Sequence, residues 1–311
     1  EVLLDYQRHQ RRLLPRLAQT YAMSFAHEVF LTKFDAVFSG AEDSDADRQD
    51  LETIAAALKP LSTWGALDII QESREACGGQ GFLAENRLTQ LRADLDIYAT
   101  FEGDNNVLLQ LVAKRLLTDY SRKFAKVDAG ALAHFVADQV NEAAVNRSGL
   151  RQLAQNVRDF GSTGRSIGYV RDTDSQRQLL TDRVQTMAAE WEAFTDAVEE
   201  IEHDGTQQIL TWLRDLFGLG LIEKDLAWYL MHGRLSSSRA QAITDYIDDR
   251  LLPRLRPQAL DLVAAFGYGP EHIRAEIATG VERVRQDEAR EYYADRRARG
   301  EEPIDEKDLT P

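Results

Sequence analysis

Cysteine is almost absent from this 311-residue chain: Cys77 stands alone, which excludes an intrachain disulfide and any cysteine-rich metal site. Proline is scarce too, with 7 residues in all, so few positions force a helix to end. No apolar run approaches the ~18 residues that a spanning helix needs, and the first residues lack the basic-then-apolar pattern of a signal peptide. Positive charge is in deficit, 37 Lys and Arg against 52 Asp and Glu. The resulting net charge of −15 argues against nucleic acid or an anionic membrane surface as the main partner. The six histidines, His9, His27, His134, His203, His232 and His272, are scattered with no pair at ligand spacing, so no metal site is expected.

What is present is enough to build a large core: 43% of residues are hydrophobic and 29% charged, a balance that predicts a folded chain of two domains. Apolar residues recur at intervals of three and four almost throughout, and no strand alternation lasts beyond a few residues, which predicts an all-α fold. A first helix is expected over residues 2–38, with Leu13, Leu14, Leu17, Tyr21, Phe25, Val29 and Phe30 near one face and Pro15 kinking or splitting it. Residues 39–47 are acidic and polar and read as a loop. A second helix is expected over 50–76, perturbed by Pro60 and ended by glycines, and another over 107–124. The composition places a boundary near 125–129, giving domains 1–125 and 126–311 as two consecutive helical bundles. Helices in the second half are expected at 128–146, 174–203, up to 217, 223–232, 239–252 with Ser236 to Ser238 as cap, 259–266 and 270–299. Trp191, Trp212, Trp228 and Tyr229 are expected in the core.

Two motifs carry chemistry. Gly78-Gly79-Gln80-Gly81-Phe82 is a tight glycine turn, and glycine lets backbone approach a bulky ligand because it tolerates positive φ and has no Cβ. Farther along, Phe101-Glu102-Gly103-Asp104-Asn105-Asn106 sets a carboxylate between an aromatic ring and a glycine, just before a helix. Each has a plain structural alternative. Gly78-Gly79 could be a helix C-cap, Glu102 a glutamate stabilised by a helix N-terminus, and Asp104 to Asn106 simple caps.

Taken together at this spacing, the two motifs resemble the acyl-CoA dehydrogenase and acyl-CoA oxidase superfamily. Cys77-Gly78-Gly79-Gln80-Gly81-Phe82 and Glu102-Gly103-Asp104-Asn105-Asn106-Val107-Leu108 are more similar to the oxidase branch, as is the opening Asp5-Tyr6-Gln7-Arg8-His9-Gln10. Residues 130–299 resemble the second C-terminal helical domain of oxidases, most clearly from Leu255-Arg256-Pro257 to Phe266-Gly267. The resemblance implies that Glu102 is the general base that takes the α-proton of an acyl-CoA while the β-hydrogen leaves as hydride to FAD, with O2 then reduced to H2O2. It also implies that Gly103 leaves room for the substrate thioester, and that Asp104, Asn105 and Asn106 contact the flavin. Gly78, Gly79, Gln80 and Gly81 would meet the ADP part of the flavin of a neighbouring subunit, hence a homodimer.

Some positions depart from the pattern. Glu75 stands where dehydrogenases often carry Gln, Ala93 where they often carry Arg (with Arg92 adjacent), and Gln80 and Phe82 where oxidases commonly carry His and Tyr. The domains that the superfamily places upstream are not in this sequence, and the opening Glu1-Val2-Leu3-Leu4 reads as the interior of a longer polypeptide, inactive alone. The C-terminus is not a Ser-Lys-Leu address, so a bacterial cytoplasm is the expected setting. Two other readings stand beside the oxidase: a dehydrogenase with an extended C-terminus that passes electrons to a flavoprotein carrier, and a non-catalytic helical scaffold for dimerisation.

Overall fold

The computed structural model describes residues 2–41, 44–125, 163–183, 185–269 and 271–300. Among these the chain is helical and contains no strand, as the apolar spacing predicts. The long helices α1 (Gln7–Phe38) and α2 (Asp45–Ala76) form an antiparallel pair. A 3-10 turn at Gly78–Phe82 and another at Ala84–Asn86 lead to α3 (Leu88–Tyr98), and α4 (Asn105–Ala125) returns along α2. The second half contains α5 (Thr163–Arg171), α6 (Thr173–Arg183), α7 (Gln185–Glu199), α8 (Asp204–Lys224), α9 (Leu226–Met231) and α10 (Ser237–Tyr246). After α10 come a π segment at Ile247–Leu251, then α11 (Leu252–Leu255), α12 (Ala259–Ala264), α13 (Glu276–Thr279) and α14 (Val281–Ala298). The helix expected at 128–146 lies outside the described residues.

Neither Pro15 nor Pro60 splits its helix. An internal proline costs ~3 kcal/mol through a lost hydrogen bond and a ring clash, and here packing along both helices offsets it. α1 turns Leu14, Ala18, Tyr21 and Ala22 into the same core as Trp191, Phe194, Leu213, Ile222 and Tyr229. Its other side rests on α2, so the first helix is shared between the site-bearing half and the second half. Polar contacts fix the same seam. Arg11 reaches both Glu223 on α8 and Asp248 in the π segment at 2.5 Å, and the Tyr21 hydroxyl donates to Leu262 O at 2.7 Å.

α2 starts earlier than its apolar pattern suggests, because Ser44 caps it: Ser44 Oγ accepts from Asp47 N, and the Asp47 carboxylate accepts from Ser44 N. α8 runs without a break through Gly218 and Gly220. A Cβ on Gly218 would stand 2.6 Å from Trp191 Nε1, so glycine there admits the indole rather than ending the helix.

A cavity of about 260 Å³ lies among α1, α2, α4 and α7, walled by Ala26, Ile54, Leu58, Val112 and Ala193 and by one acid, Glu190. Glu190 is 2% exposed and its Oε1 has no hydrogen-bond partner. Burial penalises the charged form and pushes its carboxyl up to about 7. Because the folded state holds this proton more tightly than the unfolded chain, the stability Glu190 contributes is complete below about pH 4.5 and is lost as pH rises through about 7. Glu190→Gln should therefore gain about 2 kcal/mol more over the parent at pH 8 than at pH 5, read from urea unfolding midpoints. A pH-independent difference would mean that Glu190 does not titrate with folding.

Candidate functional site

The glycine turn is built over the C-terminal end of α2. Gly78 sits at φ +59°, in the left-handed region that favours glycine, and a Cβ at Gly78 or Gly79 would meet nothing within 4 Å. Gly81 is different. It is buried, and a Cβ there would stand 2.0 Å from the carbonyl oxygen of Arg74, so the chain crosses the last turn of α2 at contact distance. Phe82 lies exposed under the Arg74 guanidinium, 4.4 Å from its ring centroid. Asn86, 1% exposed, pins the turn from below: its Nδ2 donates to Gln80 O at 2.9 Å and Gln80 Oε1 at 3.0 Å, while its Oδ1 accepts from Ile277 N at 2.9 Å.

α3 joins this turn to the carboxylate-bearing one, and its 11 residues hold the two apart by roughly 16 Å. Beyond Tyr98 the chain reverses through two residues of positive φ, Glu102 at +57° and Gly103 at +107°. The left-handed conformation is ordinary for Gly103 but costs a glutamate roughly 1–2 kcal/mol, and such residues persist where the surroundings over-determine them. Phe101 packs edge-on against Tyr98 with centroids 5.3 Å apart. Asp104 then caps α4, its Oδ1 accepting from Asn106 N at 2.9 Å and Val107 N at 3.3 Å.

Asn105 is turned inward and is 1% exposed. Its Nδ2 donates to Thr63 Oγ1 at 3.0 Å, and its Oδ1 accepts from Lys59 Nζ at 2.8 Å. The other residues expected at the site, Gly78, Gly79, Glu102, Gly103, Asp104 and Asn106, present themselves at the surface of this chain, and Gln80 is half-buried. Glu102 stands at the rim of a cleft of about 590 Å³ between α1, α2 and α4, lined with it by His27, Phe30, Lys59, Thr63 and Leu108.

The structure thus gathers Glu102, Gly103 and Asp104 into one turn, with Asn105 beginning α4 and Asn106 next to it, and sets Gly78 to Gly81 at the opposite end of α3. Of the departures noted in the sequence, Arg92 donates to Gln71 Oε1 at 2.7 Å and Glu75 takes an ion pair with Arg12 at 3.5 Å. Lys59 escapes a reading of motifs. Its only trace in the sequence is a lone charge within Ile54-Ala55-Ala56-Ala57-Leu58-Lys59-Pro60-Leu61. Gly78 and Gly79 face open space, and Glu102 lines an open cleft.

Residues 1–117 match the acyl-CoA oxidase C-alpha1 domain family, and residues 139–279 match the acyl-CoA oxidase family. Over 299 residues the chain is 31% identical to the putative acyl-coenzyme A oxidase 3.2, peroxisomal, of Arabidopsis thaliana, a stretch covering 89% of this chain and 43% of that protein. The crystal structure of acyl-CoA oxidase 3 from Yarrowia lipolytica superposes with a TM-score of 0.65 at 26% identity, covering 88% of this chain and 44% of that one. Acyl-CoA oxidase-2 of Caenorhabditis elegans, solved bound with FAD, ascaroside-CoA and ATP, shares the fold with a TM-score of 0.66 at 23% identity, again covering 88% of this chain and 44% of that one. The chain therefore spans less than half the length of these relatives.

Proposed function

The chain belongs to the acyl-CoA oxidase family, and from that premise we propose that it is the C-terminal half of a flavin-dependent oxidase that converts an acyl-CoA to its trans-2-enoyl-CoA. The observation that carries the reading is the left-handed Glu102–Gly103 turn at the rim of a cleft, immediately before the N-terminus of α4. Glu102 takes the α-proton. Gly103, with no Cβ, lets the thioester approach, and the backbone N–H of Glu102 is the donor offered to the thioester oxygen as negative charge develops there. When bound, FAD supplies the two-electron acceptor, and O2 takes the pair onward as H2O2.

Asp104 and Asn106 are the flavin-facing residues of this turn, whereas Asn105, occupied by Lys59 and Thr63, serves the turn itself. The Gly78–Gly81 turn stands at the other end of α3 from Glu102, so in this reading it meets a different part of a flavin, the ADP part, and the reading takes that flavin to be a partner's in a homodimer. Glu102 is exposed in this chain, so in this reading the exclusion of water falls to the upstream half of the enzyme.

The test uses the complete enzyme. An acyl-CoA is mixed in without air, the flavin absorbance is followed, and air is then admitted while peroxide is assayed. Bleaching followed by stoichiometric peroxide is the expected result. Bleaching with little peroxide would reassign the chain to a dehydrogenase, and no bleaching with short, medium or long chains would leave a dimerisation scaffold.

A further inference from the structure

We propose that Lys59 is a positioning residue for the base, an inference that rests on the reading just given. Its ammonium has three protons and meets three acceptors, Gly103 O at 2.6 Å, Asn105 Oδ1 at 2.8 Å and Ala99 O at 3.3 Å. Two of these carbonyls bracket Glu102 in the sequence, so the ammonium gathers both flanks of the turn that carries the carboxylate. The third acceptor closes a ring: Asn105 Nδ2 donates to Thr63 Oγ1 at 3.0 Å, and Thr63 Oγ1 donates back to Lys59 O at 2.9 Å. One turn of α2 is thereby stitched to the first residue of α4, with Glu102 spanning the stitch at φ +57°.

The arrangement has a specific use. A strained residue keeps its conformation only where its neighbours over-determine it, and an error of about 1 Å in a reacting group costs up to ~10²-fold in rate. Lys59 touches neither substrate nor flavin in this scheme; it acts by fixing where the Glu102 carboxylate points.

The experiment compares the parent enzyme with Lys59→Met and Lys59→Arg, and repeats Lys59→Met in a Glu102→Gln background. We expect Lys59→Met to slow flavin reduction by an acyl-CoA about 10- to 100-fold with KM changed less than about threefold, and Lys59→Arg to recover part of the rate. In the Glu102→Gln background the same substitution should cost little more, because no carboxylate remains to be aimed. Thr63→Val opens the ring without removing a charge, and should give a smaller loss of the same kind should the Lys59 variant fold poorly. Amide hydrogen exchange across residues 99–106 supplies a readout independent of turnover, expected to rise at least about tenfold in Lys59→Met. Unchanged exchange there, reduction at the parent rate, or a full loss persisting in the Glu102→Gln background would each overturn the assignment. A parent enzyme that never bleaches would fail the oxidase reading instead, and the exchange measurement would still decide whether Lys59 holds the turn.

Discussion

Glu102→Gln is expected to slow anaerobic flavin reduction by acyl-CoA by ~10²- to 10⁴-fold, the range that a positioned general base supplies. The amide keeps the shape of the side chain and loses only its ability to take a proton. The contacts that hold the turn are made by the carbonyls of Ala99 and Gly103 and by Asn105, none of which the substitution touches. Substrate affinity and unfolding midpoint should therefore stay near the parent values, and the loss should fall on the reduction step, read by stopped-flow absorbance. Glu102→Asp keeps the carboxylate but withdraws it by one methylene, and should fall between the two. Reduction of Glu102→Gln at the parent rate would remove Glu102 from the chemistry and with it the main ground for the proposed function.

The second large effect belongs to the glycine turn, where neighbouring positions should behave in opposite ways. Gly81→Ala is expected to cost more than about 3 kcal/mol, beyond the usual range for overpacking. Its new Cβ would fall 2.0 Å from Arg74 O and 2.8 Å from Arg74 C, which are backbone atoms of α2 with no rotamer to escape into. Gly79→Ala adds a methyl group to open space and should change stability by no more than about 0.5 kcal/mol. Unfolding midpoints in urea for the two variants settle the matter, since equal midpoints would show that the turn yields easily at Gly81. A Gly79→Ala variant that is stable yet binds FAD more weakly would mark that open space as cofactor surface.

How much the sequence discloses differs from feature to feature. The apolar face of α1 is legible at Leu14, Tyr21 and Phe25 because helical spacing is local information. The motif around Glu102 is legible because it is contiguous. The prolines disclose less: Pro15 is a local signal for a kink or a split and Pro60 for a perturbation, and both lie inside helices that continue past them. The helix expected to reach only 217 runs on to Lys224, and Gly218 gives no hint of its role, since its neighbour Trp191 is 27 positions away. Lys59 is the clearest omission. Nothing around it shows that its partners lie 40 to 46 residues onward, and only the fold brings α2 against the turn before α4. Glu190 belongs with it, being one more acid in an acidic chain until burial singles it out.

The sharing of α1 between two sets of partners also imposes an order in time. Tyr21 finds its acceptor on Leu262, 241 residues later. At the ribosome's pace of ~5–20 residues per second, roughly 12 to 50 seconds separate the emergence of the two. Through most of that interval α1 can pair with α2, but the face carrying Leu14, Ala18 and Ala22 waits for α7 and α8, the latter complete only at Lys224. A nascent chain of this kind offers a chaperone a long and specific window, and a mutation that loosens α1 from α2 would be felt first as aggregation during synthesis.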